Sequence, residues 1–186
     1  EELIERRAFN YQIEKTKELG EILSKKKLIA MTATRAAQFK ESLDLSNCKY
    51  MIIEEAGELT EPITFSTIPK SVQQLMMIGD YNQLRPTVDY DLVKKPFNFE
   101  ISLFEKVVIH SKKIDDDNLF TLSIQRRMHP QIASMLRRAF YNNNKGKEKL
   151  IDDDCVKSLD KPIGFPNHLQ FYLHEYPEES EKNVSR

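Results

Sequence analysis

The sequence YMIIEE, residues 50–55, and the sequence LMMIGDYNQLRP, residues 75–86, decide the fold. Each begins with four apolar residues and then turns acidic. A short apolar run between polar residues is typical of a strand buried on both faces, as in a parallel sheet. The segment between them can hold a crossover helix, which we expect to begin near Pro62. The sequence therefore predicts an α/β fold, a parallel sheet with flanking helices.

The acidic residues after these two strands predict a site. Ligands of open parallel sheets bind beyond the carboxyl ends of the strands, where both acidic clusters would lie. Of Glu54 and Glu55, one carboxylate could hold Mg²⁺ while the other orients and deprotonates an attacking water. Asp80 and Gln83 add a second polar cluster, and the amide could hydrogen-bond a terminal phosphate. The alternatives are an exposed acid pair and a turn, Gly79-Asp80, capped by the aspartate.

The amino-terminal part of the chain predicts two helices and a third strand. Residues 1–27 have helical spacing of apolar residues and indicate either a solvated amphipathic helix or a stalk carrying a subdomain. Residues 28–31 form another short apolar run. Thr32 and Thr34 follow it, and their hydroxyls could bind nucleic-acid phosphates or cap the next helix, residues 36–43.

The carboxyl-terminal part predicts a second group of elements beyond an exposed break at residues 115–118. Arg127 follows a predicted strand, and its guanidinium could stabilise a transferring phosphoryl group. The alternative is an exposed basic pair with Arg126. The expected elements are a loop at 87–100, a helix at 101–109 with Leu103, Phe104, Val107 and Val108 inward, strands at 119–124 and 168–174, a helix over 132–140, and a disordered tail from 177.

Composition excludes little. The chain has 28 basic and 29 acidic residues, so its net charge of -1 says nothing about nucleic acid. The two cysteines lack metal-ligand spacing, and a reducing intracellular compartment is expected. No apolar run approaches the ~20 residues of a membrane span, so no membrane partner is expected.

Three strings in this order carry a resemblance. They are IIEEAGE from residue 52, IGDYNQLRP from residue 78 and LSIQRRMHP from residue 122. Together they resemble motifs II, III and IV of superfamily 1 helicases of the Upf type. Glutamate rather than aspartate at position 54, with residues 29–34 and 98–105, looks like the zinc-finger-bearing NFX-type branch of that group.

The resemblance covers roughly residues 28–176 and implies a RecA-like P-loop NTPase fold. It implies that residues 28–118 are the carboxyl-terminal part of one RecA-like domain and residues 119–186 the amino-terminal part of a second. Residues 1–27 would be a helical stalk or a subdomain remnant. In such helicases ATP lies between the domains and single-stranded nucleic acid lies across them.

The resemblance also implies roles for individual residues. Arg126 stands where tyrosine is common and receives no role. The resemblance implies that Glu54 binds Mg²⁺ and that Glu55 is the catalytic base. Gly79, Asp80 and Gln83 would contact ATP, with Gln83 sensing the terminal phosphate, and Arg127 would be the arginine finger. Thr32 and Thr34 would contact the nucleic-acid backbone.

The function implied is part of an ATP-dependent RNA helicase or translocase, with RNA silencing or surveillance by analogy. Nucleus, cytoplasm or RNA granules would be its location. The alternatives are a non-catalytic RNA- or protein-binding module on a helicase scaffold and a DNA helicase of the same superfamily. None of the five glycines fits a G-x-x-x-x-G-K-[ST] phosphate loop. We therefore expect an incomplete fold, the middle fragment of a helicase core.

We predict that these 186 residues alone neither bind ATP tightly nor hydrolyse it, because the loop that cradles the phosphates is missing. The measurement is phosphate release by the purified chain, with the Glu55→Gln variant as the background. ATP turnover that disappears in that variant would contradict the prediction.

Overall fold

The computed structural model divides the chain into two compact units, Glu1–Leu119 and Phe120–Arg186. The assignment of residues 28–118 and 119–186 to two RecA-like domains, with residues 1–27 as a stalk, stays a prediction. The residues that the structure describes are 2–88, 96–114, 117–141 and 150–175.

Within the described residues, the first unit combines α-helices with a parallel pair of strands. The helices are α1 (Glu2–Ser24), α2 (Ala33–Gln38), α3 (Lys40–Leu45), α4 (Glu61–Thr67) and α5 (Leu103–Ile114). The strands β1 (Tyr50–Ile53) and β2 (Gln74–Met77) pair in register from Tyr50 opposite Gln74 to Ile53 opposite Met77. Helix α4 lies between them in the chain and has Pro62 in its first turn. The predicted parallel sheet and crossover helix are confirmed.

The sheet is covered on one face rather than on both, so that prediction is wrong. Ile53 is buried, whereas Tyr50 and Ile52, which point to the opposite face, are 68% and 62% exposed. Met76, the partner of Ile52, is exposed as well. Within the described residues the sheet has two strands, and no layer covers this face.

The predicted strand at residues 28–31 does not form. This segment is irregular, and Leu28 is 84% exposed. A strand needs a neighbour for its backbone hydrogen bonds, and no described strand lies beside this segment. The helix predicted at 36–43 is two short helices, α2 and α3, because the backbone leaves helical geometry at Phe39 (φ -102°, ψ 19°).

Helix α1 packs closely against α3. The hydroxyl of Ser42 donates a hydrogen bond to the Thr16 carbonyl oxygen at 3.1 Å. A Cβ atom at Gly20 would lie 2.7 Å from the Cβ of Leu45 and 3.3 Å from the Ser42 carbonyl oxygen. Glycine in mid-helix costs about 1 kcal/mol relative to alanine. The close approach of the two helices is the reason for it here.

Small residues form much of the buried interior between α2 and α4. Ala36, Thr64 and Thr67 are all buried. The Thr64 hydroxyl donates to the Thr60 carbonyl oxygen at 3.2 Å, and the Thr67 hydroxyl donates to that of Thr64 at 2.7 Å. The buried hydroxyls therefore satisfy their hydrogen bonds within their own helix.

Helix α5 is longer than the predicted helix at 101–109 and shifted toward the carboxyl end. Val108 is buried as predicted, but Val107 is exposed, which the prediction had wrong. Glu105 is buried instead, because its carboxylate forms an ion pair with Arg85 at 2.6 Å. No helix among the described residues is long and apolar enough to cross a bilayer.

The second unit contains a short parallel pair, β3 (Ile124–Gln125) and β4 (Ile151–Asp152). The predicted strand at 119–124 therefore begins only at its last residue, and residues 168–174 are irregular instead of a strand. The partner of β3 is β4, a strand that the sequence analysis did not predict. Hydrogen bonds from Ile151 N to Ser123 O (2.7 Å) and from Asp153 N to Gln125 O (3.1 Å) extend this pairing.

The helix predicted after the second-unit strand is confirmed. It is α6 (Pro130–Leu136), which continues as a π-helical turn, Arg137–Tyr141. His129 caps it, since its Nδ1 atom accepts a hydrogen bond from Gln131 N at 3.3 Å. Residues 89–95 of the predicted loop, 115–116 of the predicted break and the tail from 177 lie outside the described residues.

We predict that Gly20→Ala lowers the free energy of unfolding by about 1 kcal/mol. Overpacking costs about 1–3 kcal/mol, which exceeds the gain of about 1 kcal/mol in helix propensity. Urea unfolding measures the change. Glu21→Ala, at an exposed neighbouring position of α1, is the matched control and should stay within about 0.5 kcal/mol of the parent chain. A Gly20→Ala chain as stable as the parent would show that α1 and α3 are not closely packed.

Candidate functional site

An open cavity of about 370 Å³ lies at the carboxyl ends of β1 and β2. The structure thus brings together five of the residues that the sequence singled out in the first unit. The lining residues are Glu54, Glu55, Ile78, Gly79, Asp80 and Gln83.

The backbones of the two strand ends stay hydrogen-bonded beyond the strands. Ile78 N donates to Ile53 O at 2.8 Å, and Ala56 N donates to Ile78 O at 2.9 Å. A Cβ atom at Gly79 would lie 3.0 Å from Gly57 N and 3.2 Å from Ala56 N. The backbone at Gly79 therefore packs directly on the backbone of residues 56–57, which is possible because glycine has no Cβ atom. This contact sets the distance between the two acidic clusters.

Glu55 has a left-handed backbone conformation (φ 50°, ψ 40°). For a residue other than glycine this conformation costs about 1–2 kcal/mol. The residue begins a 3-10 helix, Ala56–Glu58, in which Glu58 N donates to the Glu55 carbonyl oxygen at 3.0 Å. Residues held in such conformations cluster at functional sites. The carboxylates of Glu54 and Glu55 both line the cavity even though they are adjacent in sequence.

Asp80 organises the turn after β2. Its Oδ1 atom accepts a hydrogen bond from Asn82 N at 2.9 Å, and its Oδ2 atom accepts one from Gln83 Nε2 at 3.0 Å. The turn capped by the aspartate, left open as an alternative, is therefore present. The same carboxylate also fixes the side-chain amide of Gln83 at the cavity.

The segment after this turn is anchored to α5. Glu105 accepts from Arg85 through its carboxylate, and its backbone N–H donates to the Ser102 hydroxyl at 3.0 Å. Lys112 of α5 donates to the Tyr81 hydroxyl at 3.1 Å. Sequence reasoning missed Glu105, although Ser102-Leu103-Phe104-Glu105 has the S-x-x-E pattern of a helix start. The contacts of α5 with Tyr81 and Arg85 therefore hold the chain on both sides of Gln83.

The donor set of the cavity suits Mg²⁺ better than it suits phosphate. Carboxylate oxygens are the ligands that Mg²⁺ takes, usually one or two with water completing the shell. The lining residues include the acidic Glu54, Glu55 and Asp80 and no basic residue. A phosphate group would need a metal ion or further donors between itself and these acids. Among the described residues no group of three or more His, Cys, Asp or Glu side chains is arranged to hold a metal.

Thr32 and Thr34 lie at the start of α2, apart from the residues that line the cavity. Thr32 is the N-cap, and its hydroxyl oxygen accepts from Arg35 N at 3.4 Å, so the capping alternative is present. Thr34 is exposed in the first turn. The Arg35 guanidinium is engaged with the Gln38 side chain (3.1 Å) and lies 5.0 Å from the centre of the Phe39 ring.

The second unit presents Arg127 with its guanidinium exposed. Its backbone N donates to Gln125 Oε1 at 3.0 Å, and within the described residues no hydrogen bond or ion pair engages its side chain. Its neighbours differ: Arg126 pairs with Asp153 at 2.7 Å, and Arg137 pairs with Asp152 at 2.8 Å. The alternative of an exposed basic pair is therefore present, since Arg126 and Arg127 are both exposed, and Arg126 also has an ion-pair partner.

The two paired aspartates titrate below their ordinary range. A hydrogen bond from the Cys155 backbone, and next one from Arg126, lower the pKa of Asp153 to about 2. A hydrogen bond from Gln125, followed by one from Arg137, lowers the pKa of Asp152. Both carboxylates are thus stabilised in their charged form by the groups around the turn that carries Arg127.

A stacked pair of histidines ties residues 160–175 to the start of α6. The rings of His129 and His168 are 3.6 Å apart between centroids and 8° from parallel. Desolvation, and next the charge of His129, lower the pKa of His168. Sequence reasoning did not single out this pair, since nothing in the spacing of two distant histidines signals a contact.

Comparison with known proteins places this arrangement in a family. A model described as an AAA domain matches residues 1–90. The human NFX1-type zinc finger-containing protein 1 is 36% identical over 159 residues, which is 85% of this chain and 8% of that protein. The helicase required for RNAi-mediated heterochromatin assembly 1 of Schizosaccharomyces pombe is 34% identical over 148 residues, 78% of this chain and 14% of that protein.

The chain belongs to the superfamily 1 helicases of the Upf type. Regulator of nonsense transcripts 1 of Caenorhabditis elegans, another similar protein, is 28% identical over 165 residues, 88% of this chain and 14% of that protein. The resemblance drawn from the three strings is confirmed, and the α/β fold is of the RecA-like P-loop class. The chain spans between 8% and 14% of the length of these helicase relatives.

We predict that acid destabilises this helicase chain through Asp153. A carboxyl whose pKa falls from its ordinary value of about 4 to about 2 on folding stabilises the folded state above pH 4. That stabilisation is lost as the pH falls toward 2. Urea unfolding at pH 7, 4 and 3 should show a smaller loss of stability in Asp153→Asn than in the parent chain.

The matched control is Asp154→Asn, which removes the neighbouring carboxylate, itself 94% exposed. Its acid profile should follow that of the parent chain. If Asp153→Asn also followed the parent, the hydrogen bonds from Cys155 and Arg126 would not stabilise the unit.

Proposed function

We propose that the chain is part of the core of an ATP-dependent RNA helicase or translocase, which hydrolyses ATP to move on or remodel single-stranded nucleic acid. The observation that carries the proposal is the single cavity lined by Glu54, Glu55, Asp80 and Gln83 at the carboxyl ends of two parallel strands. Membership of the superfamily 1 helicases supports it.

In this proposal the two glutamates divide the work. Glu54 holds Mg²⁺, whose charge offsets that of the phosphates. Glu55 orients the attacking water and takes its proton. The left-handed backbone of Glu55 supports this division, because it turns the chain between two adjacent residues that would otherwise point to opposite faces.

The other candidate residues are also given roles in ATP hydrolysis. Asp80 holds the Gln83 amide, which contacts the terminal phosphate or the attacking water. Gly79 lets the two motifs approach within the cavity. Arg127 supplies a guanidinium that stabilises the charge of the transferring phosphoryl group. Its freedom from side-chain partners among the described residues supports this role, because a paired arginine would first have to break an ion pair.

Thr32 and Thr34 are proposed to contact the nucleic-acid backbone. Such contacts position a strand without reading its bases and need not distinguish ribose from deoxyribose. RNA is favoured because two similar proteins carry names that refer to RNAi-mediated heterochromatin assembly and to nonsense transcripts. We therefore propose a role in RNA silencing or surveillance, inside the cell, in the nucleus or in cytoplasmic RNA granules. A DNA helicase of the same superfamily is the alternative substrate class.

A second candidate is a non-catalytic module that binds RNA or protein on a helicase scaffold. It is favoured by the charge of the cavity, which presents three carboxylates and no cation to a phosphate. None of the five glycines of the chain lies in a phosphate loop. Nucleotide would then bind weakly and would not be hydrolysed.

We predict that Glu55→Gln in the full-length protein lowers RNA-stimulated ATP hydrolysis by about 10²–10⁴-fold while ATP binding is retained, since the amide cannot take a proton. The measurements are phosphate release and binding of a fluorescent ATP analogue. Glu58→Gln, at an exposed position of the same turn, is the matched control and should behave as the parent protein.

Three outcomes separate the alternatives. Unchanged turnover in Glu55→Gln would rule out the assigned base. A full-length protein that binds RNA without any ATPase activity would favour the non-catalytic module. Stimulation by single-stranded DNA but not by RNA would favour the DNA helicase.

A further inference from the structure

Gln125 is a buried amide at the end of β3, and only 8% of it is exposed. It makes four side-chain hydrogen bonds, all in the second unit. Its Oε1 atom accepts from Arg127 N (3.0 Å) and Met128 N (2.9 Å), and its Nε2 atom donates to Met128 O (2.8 Å) and Asp152 Oδ1 (2.7 Å).

These contacts use the full capacity of an amide. A primary amide offers two acceptor lone pairs and two N–H donors on one planar group, and here all four are used. A glutamate at this position would lose both donors and face the carboxylate of Asp152. A serine or threonine hydroxyl at this position could not hydrogen-bond the two backbone N–H groups and also reach Asp152 on the neighbouring strand. The site therefore requires this residue type.

The amide connects the turn to a fixed element. Asp152 lies opposite Gln125 in the parallel β3–β4 pair and also accepts from the Arg137 guanidinium at 2.8 Å. Arg137 lies in the π-helical continuation of α6. The backbone of residues 127 and 128 is thus held, through one side chain, by a strand and a helix at once.

We propose that Gln125 is the positioning residue for Arg127. It fixes the backbone from which the free guanidinium extends, so that the charge is already aimed when a phosphoryl group is transferred. This inference rests on the proposed ATPase function. Holding a charged group in place beforehand lowers the barrier, and a misplacement of about 1 Å costs about 10²-fold in rate.

A purely structural role is the competing explanation. In that case Gln125 only stabilises the β3–β4 pair, and its removal would affect activity whether or not Arg127 is present. A positioning role acts through Arg127 alone. The two explanations therefore differ in a double-mutant cycle, where residues that act as one unit give strongly non-additive effects.

The test uses steady-state ATP hydrolysis by the full-length protein with RNA present. We expect Gln125→Ala to lower kcat about 10- to 100-fold with KM changed less than twofold. Gln125→Ala combined with Arg127→Ala should be no slower than Arg127→Ala alone. Gln131→Ala, an exposed glutamine of α6 with the same substitution, is the control and should keep the parent rate.

Gln125→Met is the second variant, because it keeps the length of the side chain while removing all four hydrogen bonds. It should match Gln125→Ala in kcat. Thermal melting of each variant reports whether the protein remains folded.

The inference is overturned if Gln125→Ala slows the Arg127→Ala protein by the same factor as the parent, or if neither Gln125 variant folds. It is also overturned if Arg127→Ala is slow but Gln125→Ala is not, an outcome that leaves the proposed ATPase function intact. A parent protein with no ATPase activity would overturn the proposed function and, with it, this inference.

Discussion

The rest of the first unit depends on one contact, the backbone of residues 56–57 against the backbone of residues 79–80. Two hydrogen bonds carry the β1–β2 pairing past the last strand residues into this contact, and a Cβ atom at Gly79 would lie only 3.0 Å from Gly57 N. The two sequence motifs line the same cavity because their backbones are in direct contact. A side chain at position 79 would press on the backbone of residues 56–57, which carries the chain on from Glu54 and Glu55.

Each unit fixes a turn with one buried polar side chain. In the first unit the Glu105 carboxylate accepts a hydrogen bond from Arg85, and the Glu105 backbone N–H donates one to the Ser102 hydroxyl. In the second unit Gln125 binds the turn that carries Arg127. A buried polar group is costly unless every donor and acceptor is satisfied, so such a group specifies one geometry of the loop around it. Apolar packing alone would tolerate several.

How far the sequence determined the structure differs between elements for physical reasons. β1 and β2 were predictable because each is an apolar run that ends in polar residues, and their shared edge followed from parallel pairing. Residues 28–31 have the same pattern without forming a strand, since pairing depends on a neighbour that local pattern cannot reveal. β4 was missed because two residues carry no periodic signal. The burial of Glu105 and Gln125 depends on partners about 20 to 27 positions away in the chain, Arg85 and Asp152.

The left-handed backbone at Glu55 lowers the stability of the turn at the residue that is proposed as the catalytic base. Folding alone would favour glycine or asparagine there, because these residues enter the left-handed region at little cost. The carboxylate is therefore kept at the expense of about 1–2 kcal/mol of stability. Selecting variants of this turn for thermal stability would replace Glu55, a residue that lines the cavity. With Glu55 in its proposed role as the catalytic base, the most thermostable and the most active versions of the turn would have different sequences.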